Sequence, residues 1–118
     1  MDSRRQSKMA SLLQQTMASI LQKNAVNFIG SGVLVSITKV ITSPDLSVAK
    51  FYVSVFGNEE PQLTVDILNS TSYEWRRHLG NELRNNLRKV PEIEFFVDDS
   101  MEYAQKMNKI FKDLNEDK

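Results

Sequence analysis

The chain has 118 residues, 41% of them hydrophobic and 25% charged, a composition that suits one globular domain with a single core. It contains no cysteine, which excludes disulfides and thiolate metal sites and fits a reducing cytoplasm, and no apolar run approaches the roughly 18 residues of a membrane span. Fifteen basic side chains balance fifteen acidic ones, yet residues 1–23 and 76–89 sum to +3 and +4 while residues 24–75 and 90–118 sum to −3 and −4. A neutral total thus conceals two basic segments, and such asymmetry points to a polyanionic partner.

The segment Met1 to Lys23 is rich in Arg, Ser and Gln and faintly resembles an organelle transit peptide. Its apolar stripe gives it a different use. From Met9 the apolar or small residues fall at Leu12, Leu13, Thr16, Met17, Ile20, Leu21 and Phe28, one face of a helix able to cover a sheet, and Gly30-Ser31-Gly32 ends it. Val33 to Thr42 is rich in β-branched residues and reads as a strand, with Ile37 and Val40 out of phase and a bulge expected near Thr38-Lys39. Thr42-Ser43-Pro44-Asp45 signals a turn. The second strand, Val48 to Phe56, alternates Ala49, Phe51, Val53 and Val55 against Lys50, Tyr52 and Ser54, so the pair predicts an antiparallel hairpin.

Gly57-Asn58 closes that strand, and Pro61 suits the first turn of a helix burying Ile67, Leu68, Thr71 and Trp75. Asn69-Ser70-Thr71-Ser72 can hydrogen-bond its own backbone in non-helical conformations, which predicts a kink. Beyond it Leu79, Leu83 and Leu87 define the apolar face of a second helix, with Arg77, Arg84 and Arg88 opposite at about 100° per residue. Pro91 stops this helix near Val90. Ile93, Phe95 and Val97 then alternate with Glu94, Phe96 and Asp98 as a third strand. Asp99 and Glu102 form a capping-box-like start to a terminal amphipathic helix through Tyr103, Met107, Ile110, Phe111 and Leu114. The order is helix, strand, strand, helix, kink, helix, strand, helix, an α+β class in one domain spanning residues 1–118.

That order with a basic helix after a kink resembles a type II KH-like domain with an additional C-terminal helix, and two motifs narrow the likeness. Ser43-Pro44-Asp45-Leu46-Ser47-Val48-Ala49-Lys50-Phe51-Tyr52-Val53 is similar to the S-x-D-L-x-x-A-x-V-Y-V signature of the ribosome-binding factor A family. Arg88-Lys89-Val90-Pro91-Glu92-Ile93-Glu94-Phe95, with Asp98-Asp99-Ser100, resembles that family's R-x-x-P-E-L-x-F…D-x-S segment. The resemblance implies a non-enzymatic factor that binds the free small (30S) ribosomal subunit, assists late maturation and end processing of its 16S rRNA, and matters most in the cold. It implies a cytoplasmic monomer with no cofactor, no small-molecule substrate and no membrane association. The chain departs from the pattern in three places. Thr71-Ser72-Tyr73 replaces the family's Ala-x-Gly at the kink, Asn27 to Gly32 replaces a basic turn, and the helix reaching Val90-Pro91 is slightly long.

The residues expected to contact RNA are Arg77, Arg84, Arg88 and Lys89, with Arg4, Arg5 and Lys8 on the first helix and Ser72 and Tyr73 at the kink. For the basic residues the alternative is a solvated helix face that also favours the helix dipole. Arg76 falls toward the leucine side and is expected in a structural ion pair. Tyr52 is a candidate for base stacking or for plain packing. Glu94, Asp98, Asp99 and Glu102 raise a second reading, a divalent-metal-dependent RNA nuclease, although helix capping accounts for Asp99 and Glu102. His78 lacks any nucleophile or orienting partner in the sequence. A third reading is a protein-interaction module using the open strand face.

Overall fold

The computed structural model describes residues 3–57 and 60–98. The elements run α1 (Ser3–Asn24), α2 (Val26–Ile29), β1 (Leu34–Thr42), β2 (Val48–Phe56), α3 (Pro61–Ser70), α4 (Ser72–Glu82) and β3 (Glu92–Val97). The expected terminal helix, with Asp99 and Glu102, lies outside the described residues. β2 occupies the centre of a three-stranded sheet, antiparallel to β1 and parallel to β3. Because antiparallel neighbours need only a turn and parallel ones a crossover, the short 43–47 turn and the helix pair α3–α4 follow from these pairings.

One sheet face carries Ile37, Ala49, Phe51, Val53, Ile93 and Phe95, all buried. Against it lie Leu13, Met17, Ile20 and Leu21 of α1, Val65 and Leu68 of α3, and Trp75 and Leu79 of α4. The two-residue period of the strands and the three-and-four spacing of the helices thus meet in one core. The expected bulge is present: the β1–β2 register shifts between Ile37 and Lys39, leaving Thr38 unpaired, which restores Val40 to the phase of the core. The first helix is not continuous to Gly30. It ends at Asn24, and a single further turn, α2, brings Phe28 edge-on to Trp75 with ring centroids 5.4 Å apart.

Unpaired strand edges invite association, and here amide side chains occupy parts of both. Gln6 and Gln14 of α1 donate to the β1 carbonyls of Thr42 (3.2 Å) and Ile37 (3.1 Å). Asn69, at the end of α3, both donates to the Phe95 carbonyl (3.0 Å) and accepts from its N–H (2.8 Å) on β3. On the sheet's other face Tyr52 stacks on Phe96, and Lys39 Nζ sits 4.5 Å from the Tyr52 ring centre.

Turn chemistry explains the first family-like motif. Leu46 adopts a left-handed conformation (φ 60°), unfavourable for a side chain of its size, and a polar network compensates. The Ser43 hydroxyl accepts from the N–H groups of Ser47 and Val48, while Asp45 accepts from both serine hydroxyls and the Ser47 N–H. The Ser47 and Ser43 hydroxyls hold the Asp45 carboxyl below its usual value. The Ser47 carbonyl then receives the Glu92 N–H at 2.9 Å, fixing where β3 begins.

Gly57 closes the opposite end of the hairpin with φ 90°, and a Cβ there would collide with the Gly32 carbonyl oxygen. Gly57→Ala is therefore expected to destabilise by about 3 kcal/mol or more, combining left-handed strain with backbone collision. Gly30→Ala supplies the comparison: φ 88° and ψ 162° lie in a region that side chains avoid, but nothing lies within 4 Å of the added methyl, so only the conformational cost of about 1–3 kcal/mol remains. Denaturant midpoints of the two variants check this order.

Candidate nucleic-acid interface

The kink falls where the polar run predicts it. Thr71 leaves the helical region (φ −107°, ψ 22°), and the Ile67 carbonyl accepts the Thr71 N–H at 3.0 Å together with the hydroxyls of Thr71 (2.7 Å) and Ser70 (2.9 Å). Side chains thereby saturate the acceptor that a continuous helix shares more sparingly. Trp75 spans the break, its indole N–H donating to the Leu68 carbonyl at 3.1 Å. Just past the kink Ser72 is half-buried and Tyr73 is 64% exposed.

The expected basic helix face requires correction. α4 ends at Glu82, not near Val90, so Arg84, Arg88 and Lys89 lie on the loop 83–91 and not on a helix. Leu83 caps α4 and is buried, and the loop closes one more turn through Leu83 O, which accepts the N–H of Asn86 (2.8 Å) and Leu87 (3.0 Å). That single turn returns Leu87 to the core, so leucine spacing survives without a helix. Asn85-Asn86 competes with the helix backbone, and two tertiary contacts draw the loop back along α4. Arg76 donates to the carbonyls of Pro91 (3.1 Å) and Val90 (3.2 Å), and Val90 packs where Gly80 has no side chain. Arg76 is structural as expected, but its partners are carbonyl oxygens and not an acid.

The basic residues divide into two kinds. Arg84, Arg88 and Lys89 are exposed on the loop, and Arg4, Arg5 and Lys8 are exposed on the first turns of α1. Arg77 is also exposed but pairs with Glu74 at 2.8 Å, which offsets part of its charge. His78 is half-buried, with Nε2 3.6 Å from the same carboxylate, and not a simple surface residue. Packing of α1 along α4 sets Arg4, Arg5 and Lys8 beside Asn86 of the 83–91 loop, and together with Met9 and Leu12 they line one pocket. No acidic residue occupies the first turn of α1, where carboxylates would favour the dipole and the arginines oppose it.

Asn86 carried no signal in the sequence for a place beside the cations, since only α1–α4 packing puts it there, whereas Met9 and Leu12 follow Arg5 and Lys8 by one turn of the same helix. A larger cavity of about 670 Å³ between α1 and the β1 edge is lined by no ionisable side chain and offers phosphates nothing. Of the acidic candidates, Glu94 is exposed on β3, while the Asp98 carboxylate accepts from the Thr38 hydroxyl at the bulge. Among the described residues no group of three or more metal-ligating side chains comes together, and no helix is long and apolar enough to cross a membrane.

The same architecture recurs in solved structures. A crystal structure of ribosome-binding factor A from Thermus thermophilus superposes with a TM-score of 0.64 at 22% identity, covering 78% of this chain and 94% of that one. A second Thermus thermophilus ribosome-binding factor A, a homology model fitted into a cryo-EM map of a 30S complex, gives 0.58 at 24% identity over 74% and 88%. The helix–strand–strand–helix–kink–helix–strand order is thus the KH-like fold of those proteins. In sequence, the family model for ribosome-binding factor A matches residues 5–111. The ribosome-binding factor A of Christiangramia forsetii is 35% identical over 111 residues, 94% of this chain and 85% of that protein. With motifs, fold and near-full-length identity in agreement, the chain belongs to the ribosome-binding factor A family.

Proposed function

We propose that the chain is a non-enzymatic assembly factor of the cytoplasm that binds the free 30S subunit through its 16S rRNA and assists late maturation and end processing of that RNA. The observation that supports this most directly is the exposure of Arg84, Arg88 and Lys89 on the 83–91 loop, whose Asn86 shares a pocket with Arg4, Arg5 and Lys8, in a molecule whose other segments are acidic in sum. Exposed cations release counterions from a phosphate backbone without reading sequence, which suits a large structured RNA. The kink places Ser72 and exposed Tyr73 on the α3–α4 junction as further contacts. Binding acts by favouring one rRNA conformation, since a factor shifts an equilibrium only by its differential affinity for the two states. The nuclease alternative lacks an assembled acidic site among the described residues, with Asp98 engaged by Thr38.

A sucrose gradient of cell extract tests the assignment. Co-migration with free small subunits at low salt, lost as salt rises, is the expected result. Recovery only at the top of a low-salt gradient would overturn it.

A further inference from the structure

We propose that the pocket between the first turns of α1 and the 83–91 loop takes one unpaired nucleotide of RNA, its base against Met9 and Leu12 and its phosphates among Arg4, Arg5 and Lys8. The proposal rests on the RNA-binding reading above and specifies which RNA feature is gripped. The pocket measures about 450 Å³, within the size of small-molecule sites, and its lining is chemically divided. Three cations form one part, and two half-buried apolar side chains, packed against the core, form the other.

A surface that only tracked phosphates would need no apolar floor. An unpaired nucleotide carries the matching division, a flat base with apolar faces attached to a charged phosphate. The polarisable Met9 thioether adapts to purine or pyrimidine, and an arginine plane lies on a base while its N–H groups reach phosphate. Asn86, also in the lining, offers both an amide donor and an acceptor to a base edge. A base within a duplex cannot present its face to this floor, so the feature recognised is a bulged or otherwise unpaired residue.

The test measures binding of the full chain to three RNA hairpins matched in phosphate number: fully paired, with one bulged adenosine, and with an abasic bulge at the same place. The bulged adenosine is expected to bind about tenfold more tightly than the paired hairpin, and the abasic bulge to lose that gain. Met9→Ala should abolish the preference while keeping the slope of log affinity against log salt. Arg4→Gln with Lys8→Gln should flatten that slope for all three RNAs. Equal binding of the three hairpins by the unaltered chain would overturn the nucleotide pocket and leave phosphate recognition standing. No binding to any of them would overturn both. Competition by free AMP at the same concentration as the bulged hairpin would identify a mononucleotide site and overturn the assignment to RNA.

Discussion

Reversing Arg84 and Arg88 to Glu is expected to weaken association with the small subunit at least tenfold while leaving the melting temperature within a few degrees of the parent. Both side chains are exposed on the 83–91 loop and neither belongs to the core. An exposed charge contact is worth about 0.2–1 kcal/mol, and 1.4 kcal/mol is a factor of ten. Two lost attractions and two new repulsions together reach that threshold. The salt dependence should flatten as well, because fewer counterions are released. Lys39→Glu with Lys50→Glu makes the same four-unit change on the sheet's other face and should matter far less. Equal losses from the two pairs, read by co-sedimentation at two salt concentrations, would mean that net charge and not the loop governs binding. Arg77→Glu should have a smaller effect than either loop arginine, because Glu74 already offsets that guanidinium.

Trp75→Ala should produce the largest loss of stability, about 3–5 kcal/mol, because the side chain is fully buried and its removal leaves a cavity against Phe28. For a domain of this size that lowers the melting temperature by more than about 10 °C. Trp75→Phe retains most of the apolar contact but removes the indole N–H from the Leu68 carbonyl, adding roughly 1 kcal/mol of lost hydrogen bonding to a smaller packing defect. The comparison separates volume from the bond that crosses the kink. Since that bond ties α4 to the end of α3, and α4 carries the basic loop, Trp75→Phe should also weaken subunit binding more than its stability loss alone explains. A Trp75→Ala melting curve matching the parent would contradict the core assignment.

Much of this architecture is legible from local pattern alone. Alternation places β1, β2 and β3, the phase slip between Ile37 and Val40 marks the bulge at Thr38, and the polar run around Thr71 marks the kink. These features depend on side-chain periods and backbone preferences within a few residues, which a linear chain displays directly. The two family-like motifs add the fold's identity, and the structure shows that the first of them builds the hairpin turn with a left-handed Leu46.

Only the tertiary structure decides the end of α4 and the composition of the interface. Leucines four apart are equally compatible with a continuing helix and with one isolated turn, and the turn through Leu83 O satisfies the same spacing. What selects the turn is the return of Val90-Pro91 onto Arg76 and Gly80, with hydrogen bonds 14 and 15 residues apart in the chain that no periodicity encodes. The Glu74–Arg77 pair, by contrast, is local: three residues apart on one helix, it is legible from spacing although a charge sum passes over it. Segment sums identify two basic stretches, but joining Arg4, Arg5 and Lys8 to Asn86 and its loop requires α1 to lie along α4. The sequence by itself determines which residues are basic and which faces are apolar; burying those faces together decides which basic residues become neighbours, because core packing acts over distances that local pattern does not reach.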